Sequence, residues 1–266
     1  MTKKLLLLVL IILPLLNFAQ QLNQSDANGR KQGLWEKKYH NGKVKYSGTF
    51  KDGYPFGEMK RFHTNGKLKA IMFFSQEGKK AKASLYNDYA KLIAEGNFIE
   101  SKKDSIWNYF DKNGNIRATE SFKEGVKNGT NTFLFKNGNM AESITFKDGK
   151  KHGVWKRFFK NGQVYFETTY LNGQLNGGVQ SNFPNGVIEF GGEYKNNKRE
   201  GTWDFYSVKG DLLYTLEYKN GFAANQDELD QLQQNKLLEM EKQKDSLVDP
   251  EKYVDDPDSY LRSQLQ

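Results

Sequence analysis

The feature that most constrains this chain is a period of 24 residues that never slips between Gly33 and Ala224. Stepping by 24 from Gly33 lands on Gly57, Ala81, Ser105, Gly129, Gly153, Gly177 and Gly201, which define position zero of eight repeats. Position nine is glycine in every repeat except the third, where it is Ala90. In six repeats an asparagine precedes it, at 41, 65, 113, 137, 161 and 185. Position 11 is aliphatic or Met throughout, from Val44 to Leu212. Position 17 is always aromatic: Phe50, Phe74, Phe98, Phe122, Phe146, Tyr170, Tyr194 and Tyr218. With 14% of the chain aromatic, that is not chance. All four tryptophans, Trp35, Trp107, Trp155 and Trp203, share position two. A fixed period of this length marks a repeat architecture. The third repeat, residues 81–104, is degenerate but keeps Leu92 and Phe98, so it is expected to fold in register.

Asn-Gly between aromatic runs signals a hairpin, because a type I′ turn needs positive φ at both central residues. Each repeat therefore reads as strand, Asn-Gly turn, strand. A second turn, such as Asp52-Gly53 or Asn172-Gly173, leads onward. Positions 11, 13, 15 and 17 alternate with polar residues as one face of a strand does. The expected fold is all-β: an elongated single-layer antiparallel meander of eight hairpins with a short α-helical C-terminal tail. One hairpin is marginal alone, so stability must come from stacking on neighbours. The second aromatic of the first strand wanders between position five (Phe62, Tyr86, Phe110, Tyr206) and position six (Tyr39, Phe135, Phe183). Either some strands carry a bulge or both faces carry aromatics.

The stretches GLWEKKYHNGKVKYSGTFKDG (33–53) and GVWKRFFKNGQVYFETTYLNG (153–173) resemble the MORN repeat. More specifically, they look like the variant found in tandem in bacterial antitoxin-like repeat proteins. The resemblance implies an elongated antiparallel sheet, a role in protein contact or scaffolding, and no reaction.

Flanking segments differ in kind. Residues 1–19 read as a secretory signal, with Lys3 and Lys4 ahead of an apolar run from Leu5 to Leu16 and Ala19 at the cut. The run is shorter than the ~20 residues a spanning helix needs. The chain has no cysteine, which excludes disulfides, thiolate chemistry and a lipoprotein anchor. The expected location is periplasmic or extracellular. Residues 20–32 lead into the repeats. From Asn225 an acidic tail begins, with Asn225 and Glu228 spaced as a capping box and Asp256-Pro257 opening a second short helix. The first helix either covers the last hairpin's open edge or lies in solvent. Residues 225–266 hold five Lys/Arg and eleven Asp/Glu, net −6; residues 20–224 hold 33 and 21, net +12.

No catalytic motif is found. His40, His63 and His152 fall at unrelated repeat positions, and no metal or cofactor site is expected. The position-17 aromatics are expected to pack. Trp35, Tyr39, Trp107, Phe110, Trp155, Phe158, Phe159 and Trp203 are the candidates for partner contact, with Phe158-Phe159 singled out because adjacent residues cannot face one side. A basic array draws acidic partners. The chain thus reads as a non-enzymatic exported scaffold with a protein partner. The alternatives are a cell-wall or glycan-binding repeat protein and a periplasmic antitoxin-like inhibitor. Nucleic acid and membrane surface are not expected partners.

Overall fold

The computed structural model describes residues 21–243, so the leader at residues 1–19 and the Asp256-Pro257 helix lie outside it. The chain divides into two compact units, Met1–Val126 and Lys127–Gln266. The first contains repeats one to four and the second repeats five to eight. Each is an open antiparallel meander, as the period predicts. In repeat one the strands are Lys31–Lys38 and Val44–Lys51; in repeat eight, Lys198–Tyr206 and Leu212–Lys219.

The turns inside the repeats depart from the expectation. In the Asn-Gly turns that end at position nine only the glycine is left-handed, as at Gly42 (φ 80°) and Gly186 (φ 86°), while the asparagine keeps negative φ. That rules out type I′ there. The chain instead makes a β-turn closed by Gly42 N–H donating to Tyr39 O at 3.0 Å, with glycine at its fourth position. Type I′ turns join one repeat to the next, where both residues are left-handed: Asp52 (53°) with Gly53 (87°), Asn172 (50°) with Gly173 (89°). The turn asparagine serves through its amide. Asn41, Asn65, Asn137 and Asn185 each donate Nδ2 to a backbone carbonyl of the next repeat, those of Thr64, Asp88, Lys160 and Val208, at 2.8–3.0 Å.

A bulge in some strands only does not explain the wandering aromatic. Every hairpin carries a one-residue bulge at position 12; in repeat one Lys37 pairs with Tyr46 but Lys38 with Val44. Position five ends the strand, and position six enters the turn, from which its side chain reaches the next repeat. Tyr39 Oη donates to Phe62 O at 2.7 Å, and His63 occupies the same place in repeat two, with Nε2 3.0 Å from Tyr86 O. A second irregularity sits between repeats. Gly48 pairs with Met59 and Thr49 with Phe56, so Gly57 and Glu58 face no residue of that strand. Position zero is left-handed wherever this happens, even at Ser105 (φ 60°). Ala81 is not left-handed, and the ladder from Ala70–Leu85 to Ser75–Lys80 runs unbroken. Of the two repeats without glycine at position zero, the one with Ser105 keeps the left-handed residue and the bulge, and the one with Ala81 has neither. The third repeat keeps its hairpin register, with Ala81 opposite Phe98, as expected.

Cross-strand partners share a face of the sheet, and here they form a row of alternating bulk. In the first unit it runs Trp35, Gly48, Met59, Met72, Ala83, Gly96, Trp107. In the second it runs Asn131, Ile144, Trp155, Thr168, Val179, Gly192, Trp203, Leu216. Where a glycine precedes a tryptophan, the indole lies on bare backbone. A Cβ on Gly96 would stand 2.4 Å from Trp107, and one on Gly192 2.3 Å from Trp203. Both indoles are fully buried. Their ring N–H groups donate to Asn97 O at 3.0 Å and Glu193 O at 3.2 Å, as buried donors must. Position-17 rings meet them edge to face, Phe98 on Trp107 at 4.9 Å and Tyr194 on Trp203 at 5.2 Å. Such contacts add about 0.5–1.5 kcal/mol beyond burial.

Part of the basic charge is structural. Two residues before position zero, a cation lies over both the tryptophan and the position-17 ring. Lys31, Lys103, Lys151 and Arg199 sit 4.4–5.0 Å from Trp35, Trp107, Trp155 and Trp203. The aliphatic stems cover the rings while the charge stays wet.

Asparagines close both ends of the array. Asn23 Oδ1 accepts from Glu36 N–H at 2.9 Å, and Asn225 Oδ1 accepts from Glu217 N–H at 3.3 Å. The helix α1, Gln226–Gln243, does not cover the edge; Leu237, Leu238 and Met240 are exposed. Its start fits the sequence reading: Asn225 Nδ2 donates to Glu228 Oε2 as well as to Thr215 O, and the Asn225 backbone carbonyl accepts from Glu228 N–H.

Candidate functional site

The degenerate repeat leaves a gap in this face. Position two is Ala83 instead of tryptophan, position zero is Ala81, and position 13 is Ala70 and Ala94 on the two flanking strands. Repeats six to eight place Phe166, Phe190 and Tyr214 at position 13. Met72 reaches across from the neighbouring strand to cover Ala83, but a thioether chain does not fill the breadth of an indole. The result is a hollow of about 680 Å³ floored by Ala70, Met72, Phe74, Ala81, Leu85 and Phe98. Its size lies within the usual range for ligand sites, about 300–1,000 Å³.

The rim is polar and mostly cationic. Arg61, Lys69 and Lys79 line it, and Asp88 is the one acid among the lining residues. Asp88 is engaged, its Oδ1 2.8 Å from His63 Nδ1. With Nε2 at Tyr86 O, both nitrogens of His63 are held, so it offers no free base to the hollow. Lys79 stands two residues before position zero, as Lys103 and Lys151 do, but it lies in the turn ahead of the strand Lys80–Tyr86, and with Ala83 in place of tryptophan it has no indole to lie on. Exposed Tyr89 and Ile93 complete the mouth.

One phenol beside this region is perturbed. Burial first, then the hydrogen bond and charge of Glu120, push the Tyr109 hydroxyl well above the usual tyrosine range. It also accepts from Lys103 Nζ at 2.8 Å. Tyr109 packs on the cluster of Ala83, Ala94 and Trp107, so it stays a neutral structural hydroxyl.

The sequence candidates are placed elsewhere. Trp107 and Trp203 are wholly inside and present no surface; the glycines they lie on explain this. Trp35 and Trp155 are half-buried, each under a lysine and against a ring, Phe50 and Phe166 respectively. Tyr39 is tied to Phe62 O. Phe110 and Phe158 end their strands opposite Ile116 and Val164. Phe159 lies in the turn, 5.0 Å from Tyr165. They are scattered over repeats one, four, six and eight, and none of the eight lines the hollow. Sequence reasoning missed Arg61, Lys69, Met72 and Lys79. The available signal was the four alanines on one face.

The family model described as the MORN repeat variant matches residues 31–52, 57–76 and 151–172. No curated protein matches the chain. Similar solved structures include a crystal structure of TarM, at 18% identity over 36% of this chain and 19% of that one, with a TM-score of 0.28. An S. aureus TarM mutant in complex with Fondaparinux, alpha-GlcNAc-glycerol and UDP is 14% identical over 46% of this chain and 21% of that one, TM-score 0.29. A porin-like protein from Bacteroides uniformis is 12% identical over 71% and 91%, TM-score 0.18. The chain thus spans about a fifth of the length of the TarM structures it matches.

Proposed function

We propose that this chain is an exported, non-enzymatic repeat scaffold that binds another protein in the bacterial envelope or outside the cell. The observation that carries the reading is the hollow: an apolar floor ringed by three cations without acid partners among the described residues, in an array whose tryptophans are taken up by packing. Apolar pockets with charged rims are where interface energy concentrates, the floor supplying affinity and the rim steering. The leader at residues 1–19 supports export. Sugar binding would use open ring faces, and Trp35 and Trp155 have theirs against lysines and neighbouring rings, which weighs toward a protein. Inhibition of that partner, as the antitoxin-like resemblance implies, is a special case of the same reading. The test is affinity capture from envelope extract with the mature protein, read by mass spectrometry. A protein partner retained at low salt and released as salt rises is expected; recovery of no protein at low salt overturns the reading.

A further inference from the structure

Resting on that reading, we infer that the hollow in the third repeat receives an aromatic side chain carried on an acidic segment of the partner, which takes the place of the missing indole. The repeat itself supplies the argument. In repeats one, four, six and eight a cation lies over a tryptophan and the position-17 ring, at 4.4–5.1 Å from each centroid. Repeat three keeps the cation, Lys79, and the ring, Phe98, and lacks the tryptophan between them. What is left is an apolar hollow with Phe98 in its lining and Lys79 at its rim, where those repeats hold a flat ring beside a positive charge.

Its surroundings point the same way. Met72, set between Met59 and Ala83 in the cross-strand row, forms the floor with a flexible thioether, which adapts to rings and gains from sulfur–aromatic contact. Arg61, Lys69 and Lys79 have no acid or ring partner among the described residues, so they face the opening with their charge uncompensated. An apolar anchor flanked by carboxylates satisfies both floor and rim. A basic or purely aliphatic segment satisfies at most one.

The test uses the mature full-length protein and short acetylated, amidated peptides, with binding followed by fluorine NMR of 5-fluorotryptophan in the peptide DDWDD. Saturable binding with a Kd below about 1 mM is expected. KKWKK observed the same way, and DDADD as an unlabelled competitor, should each be at least about 10-fold weaker. Ala70→Phe, which restores the ring that later repeats carry, should fill the hollow and weaken DDWDD by about 10-fold or more. Lys79→Glu should do the same at an exposed position where folding is not at stake, and Lys209→Glu, in the turn of repeat eight, should change nothing. Equal affinity for KKWKK, undiminished binding by Lys79→Glu, or no saturation at millimolar peptide overturns the inference. The broader reading is judged separately. A protein captured from the envelope equally by wild type and Lys79→Glu leaves the scaffold function standing and removes the hollow from it.

Discussion

Repeats three and four share one frame and reach opposite results. In repeat four the position-two residue is Trp107, the strand before it offers Gly96, and the indole settles onto backbone with no exposed surface. In repeat three the same two places hold Ala83 and Met72, and a hollow remains beside them. A sheet of one layer has no second layer to fill such a gap. Whether the face is closed or open is decided pair by pair, by one bulky residue meeting one absent side chain.

The strongest way to break this comparison is to empty the closed site. Trp107→Ala should lose about 3–5 kcal/mol in urea unfolding, whereas Met72→Ala, bordering a site already open, should lose clearly less. Equal losses would mean that repeat four is not the better packed. Next, Gly192→Ala drives a methyl into Trp203 and should cost about 1–3 kcal/mol, while Gly178→Ala, where an added Cβ meets nothing within 4 Å, should be nearly neutral. Asn185→Asp tests the turns. It keeps the oxygen that accepts from Val187 N–H and deletes the amide that donates to Val208 O, so a loss of about 1 kcal/mol is expected. No loss would show that the residue serves the local turn alone. The smallest effect separates the cations: Lys151→Gln should cost about 0.5–1 kcal/mol through Trp155 and Tyr170, and Lys79→Gln should cost nothing measurable.

Much of the fold was legible because the period carries it. Strand positions and the position-17 rings follow from residue types that repeat. The turns were misread because Asn-Gly satisfies two demands. At 52–53 and 172–173 the pair of left-handed residues is what matters, but at 41–42 only the glycine is left-handed and the asparagine is chosen for its amide. Sequence alone does not separate a residue's backbone preference from its side-chain reach. The candidate site was hidden for another reason. Ala70, Ala81, Ala83 and Ala94 lie on three strands, and each alone reads as an eroded repeat. Only cross-strand register shows that they are neighbours, and only then does the unused Lys79 stand out. The eight aromatic candidates drew attention by size, which in this sheet is the property that gets a side chain buried.

The two terminal asparagines bear on how such an array changes length over generations. Asn23 and Asn225 grip backbone atoms of the adjoining strands, the Glu36 and Glu217 amides and the Thr215 carbonyl, and no side chain peculiar to one repeat. Any 24-residue hairpin set at either end would present the same amides and carbonyls. Duplication or deletion of a whole internal unit in the gene would therefore leave both termini sealed, and the number of rungs can drift while the chain stays closed to addition of a further strand.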